Sequence, residues 1–296
     1  MGENKDIWIV TDSNSGITPT EGEKLNIGIV PMPFTADGKE YLENVNISRD
    51  DFFKIMSDKK EIKTLQPSVA NLMKLFEDGL KIHDEIVYIP MSSSLSGSYM
   101  TAKCLASSFM GKVQVVDNLR ISCTQKQSVL EALSLAKKGN SAEEIRIILE
   151  SHKKDASIYI SVDSMEYLKK GGRMAEAETS VSSVLDMRPI FQIQGDKLDF
   201  YAKARGAKNT QKRILEAVAY DMSHRFFGKD VIIKGAYTGS KEKGSQWLKS
   251  LSEYFPAHLI SVDPLPLSIS CHTGPESIAA VCMEKIREAP FTVYEI

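Results

Sequence analysis

Apolar positions along this chain follow two different rhythms. In the first half, short apolar runs alternate with segments whose apolar residues recur every third or fourth position. Residues 7–12, 27–34, 86–89, 113–117 and 158–163 predict strands, being short apolar runs bounded by turn formers. Between them, Val69, Leu72, Phe76 and Leu80 share one helical face, and Tyr99, Met100, Ala102, Leu105 and Phe109 open a helical pattern after Gly97. Residues 122–138 predict a helix ended by Gly139, and Ser141-Ala142-Glu143-Glu144 has the spacing of a capping box. This alternation predicts a mostly parallel sheet with helices on both faces, a three-layer α/β/α arrangement.

The second half changes character. Residues 190–194 and 197–202 flank Gly195-Asp196, the signature of a hairpin. A long helix is expected over 208–227, a strand over 231–237 and a helix over 241–254. An extended stretch with Pro264 and Pro266 is expected over 259–270, then a helix after Pro275 and a strand in the closing FTVYEI. This is α+β with antiparallel pairing. The change of rhythm near Lys169-Lys170-Gly171-Gly172 predicts an N-terminal α/β domain over 1–165 and a C-terminal α+β domain over 166–296.

Composition narrows the function classes. The 296 residues are 42% hydrophobic and 26% charged, with a net charge of -2, as in globular proteins with a substantial core. No basic excess points to nucleic acid. The start, MGENKDIWIV, has too short an apolar stretch for a signal peptide, and no run approaches the ~20 residues of a membrane span. Cys104, Cys123, Cys271 and Cys282 form no C-x-x-C pair and read as reduced core thiols of a cytoplasmic protein.

Candidate chemistry lies in short stretches. In an open parallel sheet ligands bind beyond the carboxyl ends of the strands, and Asp12, Asp117 and Asp163 stand at such ends; each also suits a cap of the following turn or helix. PMSSSLSGSYMTAK, residues 90–103, crowds hydroxyls at Ser92, Ser93, Ser94, Ser96 and Ser98 around Gly97, where a strand gives way to a helix. Free N–H groups and the positive dipole end at a helix N-terminus, with hydroxyls beside them, suit an anion. No lysine of a triphosphate site accompanies them, so a carboxylate fits better than a nucleotide. KTLQPSVANLMK, residues 63–74, sets Thr64 and Ser68 around Pro67 ahead of a helix, and SCHTGPESIAAV, residues 270–281, sets His272 and Thr273 ahead of Gly274-Pro275. Lys203 and Arg205 share a strand face by two-residue alternation. No G-x-G-x-x-G, zinc spacing or G-x-S-x-G elbow occurs, and Ser245 stands where a P-loop lysine belongs. No equipment for ATP or redox chemistry is visible, and no cofactor is expected.

Taken in order, TDS at 11–13, TLQPS at 64–68, SSSLSGSY at 92–99, LKKGGR at 168–173, KAR at 203–205 and HTGP at 272–275 resemble the motifs of the DegV family of bacterial fatty-acid-binding proteins. The resemblance spans nearly the whole chain. It departs at Leu65, where a small residue is usual, and at Glu276-Ser277. It implies one long-chain fatty acid between the two domains. Its carboxylate would be held by Thr64 and Ser96, with Ser93 and Gly97 in the same cradle and His272 close by. It also implies a separate fatty acid kinase that brings ATP and converts the bound carboxylate into an acyl phosphate for phospholipid synthesis. Arg173 and Arg205 would serve kinase docking or phosphoryl transfer. Because hydroxyls dominate, the cradle is expected to be neutral; Met32, Phe34 and Met91 are candidates for the tunnel. On this reading the chain is a carrier, not an enzyme. The alternatives are an acyl hydrolase using Ser96 and His272, and a lipid sensor with a non-kinase partner.

Overall fold

The structure is a computed structural model and describes residues 5–58, 61–162, 164–173 and 187–289. The chain begins with β1 (Ile7–Asp12), α1 (Pro19–Leu25), β2 (Gly28–Val30), β3 (Pro33–Ala36), β4 (Lys39–Leu42), α2 (Arg49–Ser57), β5 (Ile62–Thr64), α3 (Val69–Gly79) and β6 (Glu85–Ile89). It continues with α4 (Ser98–Ala106), β7 (Val113–Val115), α5 (Cys123–Lys137) and α6 (Ala142–Ser151). Four of these strands form a parallel sheet in the order β2-β1-β6-β7. Successive side chains on a strand point to opposite faces, and both faces are covered. Ile9, Val87 and Ile89 pack with Val129 and Leu135 of α5 and Ile145 and Leu149 of α6. Val10, Ile86 and Tyr88 pack with Leu72 and Phe76 of α3 and Tyr99 and Ala102 of α4. The expected three-layer arrangement is present. Ser141 caps α6 in a reciprocal capping box with Glu144. A small antiparallel sheet, β4-β3-β5, sits apart from the main one.

The rest of the chain builds β8 (Ala156–Ser161), α7 (Met165–Lys170), β9 (Met187–Ile193), β10 (Leu198–Arg205), α8 (Gly206–Ser223), β11 (Val231–Tyr237) and α9 (Lys241–Tyr254). It closes with β12 (Ile260–Pro264), α10 (Leu267–Thr273) and β13 (Ile278–Glu284). The second sheet runs β10-β9-β8-β13-β11-β12, antiparallel except between β11 and β12. One face carries Tyr159, Ile233, Ala280 and Cys282 against Ile214 and Val218 of α8 and Trp247 and Leu251 of α9. Its other face, with Ile158 opposite Val281 and Ile160 opposite Ala279, turns toward the first domain.

Several expectations are corrected. The run at 27–34 is two strands, β2 and the start of β3, in different sheets. The strand at 156–161 pairs with β9 and β13, so it belongs to the second sheet and not the parallel one. By sheet membership the chain therefore crosses between α6 and β8. It also returns: Ile286 and Ala289 pack in the core of the first domain, and Lys138 Nζ donates to the Glu288 carbonyl at 2.6 Å. Residues 267–273 are a helix, not an extended stretch, and a strand rather than a helix follows Pro275. Gly274, at φ 86°, ends α10, and the unbroken apolar run at 278–282 is buried as an inner strand. Cys123 and Cys282 are core thiols, whereas Cys104 is exposed and Cys271 half-buried. The expected FTVYEI strand lies outside the described residues.

The second domain depends on Trp247, fully buried, whose Nε1 donates to the Ala279 carbonyl at 2.8 Å. Trp247→Phe keeps most of the apolar contact and leaves that carbonyl without its indole partner. A loss of about 1–3 kcal/mol is expected in urea unfolding.

Candidate ligand-binding site

A cavity of about 230 Å³ lies between the two domains. It opens beyond the carboxyl ends of β1 and β6, where the parallel sheet reverses its winding direction. That is the crevice where open α/β sheets bind ligands. The second sheet's inward face supplies an apolar wall, including Ile158, Ile160, Ile193, Ala279 and Val281. The first domain contributes loops, and with them most of the polar groups.

The polar end is assembled from four segments distant in sequence. Thr64 ends β5, and its Oγ1 lies 3.1 Å from Nε2 of His272. His272 stands in the last turn of α10, not ahead of a helix as its Gly-Pro neighbours suggested. Burial, with the Arg173 guanidinium adding to it, pushes the imidazole pKa down to about 4, so His272 is neutral near pH 7. A Cβ at Gly171 would lie only 1.9 Å from His272 Nδ1; glycine at the end of α7 lets the backbone rest against the ring. Ser96 follows the Ser-rich turn, with its hydroxyl 2.9 Å from that of Ser98 and accepting from the Ser98 N–H at 3.2 Å. At Gly97 a Cβ would meet Gln66 Nε2 at 2.5 Å, the far end of an exposed side chain that would have to move aside. Gln66 in turn accepts from Thr101 Oγ1 at 2.9 Å.

Thr64, Ser96, Gly97, His272 and Arg173 all line this one cavity. Arg173 is half-buried there, donating from Nε to the Leu95 carbonyl at 3.1 Å and from Nη1 to the Gly171 carbonyl at 2.7 Å. The cradle is therefore not purely neutral: a guanidinium stands beside the hydroxyls. Ser93 is placed differently, donating to Asp117 Oδ2 at 2.9 Å behind the turn, and neither residue lines the cavity. Arg205 is exposed at the junction of β10 and α8, away from the cavity lining. Met32 and Met91 line the cavity, whereas Phe34 packs with Phe52 and Met56 in a separate cluster. Asp163 lies outside the described residues.

Asp12, of the TDS motif, does not line the cavity. Fully buried, it accepts from the N–H groups of Met91 at 2.9 Å and Asn14 at 3.1 Å, and from Gln125 Nε2 at 2.9 Å. Glu43, 3% exposed, accepts from Ser13 Oγ at 2.8 Å, Ser268 Oγ at 3.2 Å and the Leu267 N–H, joining the first domain to the start of α10. Arg49 reaches from α2 to the carbonyls of Leu265, at 2.7 Å, and Tyr237, at 3.4 Å. Asn14, Gln66, Ser122, Ser268 and Thr273 also line the cavity. Among the described residues no cluster of His, Cys, Asp and Glu is placed to hold a metal, and no helix is long and apolar enough to cross a membrane.

The site is thus a mostly apolar cavity with one polar end, set between the two domains of an α/β protein. The sequence profile described as "Uncharacterised protein, DegV family" matches residues 6–285, and the chain belongs to the DegV family. A DegV domain-containing protein of Streptococcus pneumoniae serotype 4 is 34% identical over 272 residues, covering 90% of this chain and 95% of the relative. One from Listeria innocua is 30% identical over 275 residues, covering 92% and 96%. Among solved structures, a DegV family protein from Thermus thermophilus described by its fatty acid binding superposes with a TM-score of 0.85 at 25% identity, covering 95% of this chain and all of that one. Bacillus subtilis DegV, described as a fatty acid binding protein, gives 0.82 at 25% identity, with 95% of this chain covered.

Glu43 makes the junction between the domains sensitive to pH. Burial raises its pKa from 4.5 to about 7, against the pull of its hydrogen bonds. A carboxyl whose folded pKa exceeds its unfolded value binds its proton more tightly when folded. Stability is therefore expected to fall as pH rises from about 4.5 to about 7, by roughly 3 kcal/mol for this group alone. Glu43→Gln should flatten that dependence, read from denaturant midpoints at pH 5 and pH 8.

Proposed function

We propose that the protein binds a long-chain fatty acid in this cavity and presents its carboxylate to a separate fatty acid kinase. The observation that carries the reading is the division of the cavity into an apolar wall and one polar end where Thr64, Ser96 and His272 meet. A fatty acid has that division. Burying about 14 methylenes at about 0.8 kcal/mol each gives roughly 11 kcal/mol gross. Immobilising the ligand costs about 4–15 kcal/mol. The acyl chain thus supplies most of the affinity and the head group supplies orientation. The fatty acid binding described for the Thermus thermophilus and Bacillus subtilis relatives supports the same assignment.

In this reading the Thr64 and Ser96 hydroxyls donate to the carboxylate, and the neutral His272 imidazole orients Thr64. Ser93 braces the turn from behind. Arg173 offsets the carboxylate charge at the edge of the cradle. Arg205, exposed and away from the cavity, is left for the kinase and the transferred phosphoryl group. The kinase supplies ATP and the acyl phosphate feeds phospholipid synthesis, so the protein itself acts as a carrier in the cytoplasm. A serine hydrolase is less well supported. Activating Ser96 would require a hydroxyl–imidazole pair, whereas His272 Nε2 pairs with Thr64 and Ser96 pairs with Ser98.

Native mass spectrometry of the purified protein, followed by lipid extraction, should reveal one bound long-chain fatty acid released on denaturation. A protein that is ligand-free and refuses added oleate and palmitate would sink the proposal. Thr64→Ala combined with Ser96→Ala should weaken fatty acid binding by about a hundredfold or more, since hydrogen bonds to a charged group are worth about 1.5–3 kcal/mol each. Arg205→Ala should leave binding unchanged and slow acyl-phosphate formation with the cognate kinase; lost binding would instead place Arg205 in the pocket.

A further inference from the structure

The cavity holds polar groups that the head-group cradle does not use. Asn14 is 1% exposed and lines the cavity. Its Oδ1 accepts from Ser268 Oγ at 2.5 Å, while its Nδ2 has no hydrogen-bond partner among the described residues. The Asn14 carbonyl accepts from the Ser122 N–H at 3.0 Å, so the two residues are adjacent. Ser122 is 7% exposed, also lines the cavity, and stands at the N-cap of the fifteen-residue α5. Its side chain does not cap that helix. Ser122 has φ 54° and ψ -133°, a conformation rare for any residue but glycine. The cavity thus receives, beside the positive end of a helix dipole, an amide NH2 without a partner among the described residues and a hydroxyl that does not cap the helix.

This group is displaced from the cradle. Ser268 precedes His272 by one turn of α10, about 6 Å along a helix axis. Cys123, next to Ser122, packs with Val281 and Met283, whereas Ala279, two residues earlier on β13, packs with Leu168 and Ile269 beside the cradle. A fatty acid anchored at Thr64 and Ser96 would therefore bring its chain, not its carboxylate, past Asn14 and Ser122.

Burying an unpaired amide or hydroxyl costs about 1–3 kcal/mol by protein mutational measures. An unsubstituted methylene chain would leave the Asn14 amide unpaired and offer the Ser122 hydroxyl no partner. A chain carrying oxygen at that depth would satisfy them, and would itself be costly to bury in a wholly apolar tunnel. We infer that Asn14, Ser122 and Ser268 form a second polar station in the cavity, which selects an acyl chain bearing a mid-chain hydroxyl or keto oxygen. The inference rests on the fatty-acid reading of the cavity. A site built to hydrogen-bond a ligand oxygen discriminates against the analogue that lacks it more strongly than an apolar site discriminates by size.

The test is competitive displacement of a fluorescent fatty acid from the delipidated full chain by stearate, by hydroxystearates substituted at the tenth or twelfth carbon, and by the matching oxostearates. At least one oxygenated probe should displace about tenfold better than stearate. Ser122→Ala, which removes no helix-cap hydrogen bond, should shrink that preference while stearate still binds. Asn14→Leu should shrink it further if the variant folds. Stearate binding as tightly as every oxygenated probe, or a preference unchanged in Ser122→Ala, would overturn the second station and leave the fatty-acid reading standing. Failure of all the probes to displace would remove the fatty-acid reading and the station with it.

Discussion

The buried carboxylate of Asp12 fixes the frame on which the site is built. Taking a carboxylate out of water is costly, and burial raises its pKa. The cost is tolerable only because each oxygen is engaged. Oδ2 accepts from Met91, at the start of the Ser-rich turn, and Oδ1 accepts from Asn14 and from Gln125 in α5. One side chain at the end of a central strand thereby sets the positions of three segments that line the cavity. The hydroxyl-rich loop is an element of fixed geometry because its first N–H is held from below, and the tight Ser92–Ser96 turn, closed by a 3.1 Å hydrogen bond, carries that position forward to Ser96.

The cavity itself follows from an asymmetry between the two domains. The second sheet covers one face with its own helices, α8 and α9, and leaves the other face apolar. That face is covered in part by the second domain's own α7 and α10, through Leu168 and Ile269, and in part by strand-end loops of the first domain. Polar clasps cross the junction beside apolar contacts such as that of Leu267 with Phe34, Phe52 and Met56. Glu43 bridges Ser13 and the start of α10, and Arg49 caps the carbonyls of Leu265 and Tyr237 while lying over the rings of Phe53 and Tyr237.

Much of this was legible in the sequence, and the failures have physical causes. Strands at 7–12, 86–89 and 231–237 declared themselves as short apolar runs, and Ser141 declared α6 through its capping box. Thr64, Ser96 and His272 stood out as polar residues at element boundaries, and the fold brings them to one cavity. Residues 278–282 misled because a strand buried on both faces has no alternation, so periodicity cannot separate it from a buried helix. Residues 267–273 misled because LSISCHT alternates apolar and polar like a strand, yet the segment is a helix whose start is held by Glu43. Glu43 itself was invisible: its partners lie up to 225 positions away, and nothing in YLENVN marks a buried acid. Ser93 is the converse case, since a local cluster of hydroxyls cannot tell which of them turns inward.

The two ends of the cavity differ in access as well as polarity, and that difference decides what the site can do. Leu65 is 40% exposed, and Gln66 and Gly97 beside it are exposed, so solvent reaches the edge of the cradle. Ala279 and Val281 on the opposite wall are 2% and 0% exposed. A guest with one charged end has only one favourable orientation in such a cavity. Its charge must lie where water, the hydroxyls and Arg173 can share it, and its chain must lie against the sealed sheet. The neutral His272 reinforces this choice without forming an ion pair that would bury a second charge. On the proposed reading, orientation follows from the cost of burying a carboxylate at the wrong end, which leaves the charged end nearest the exposed Leu65, Gln66 and Gly97.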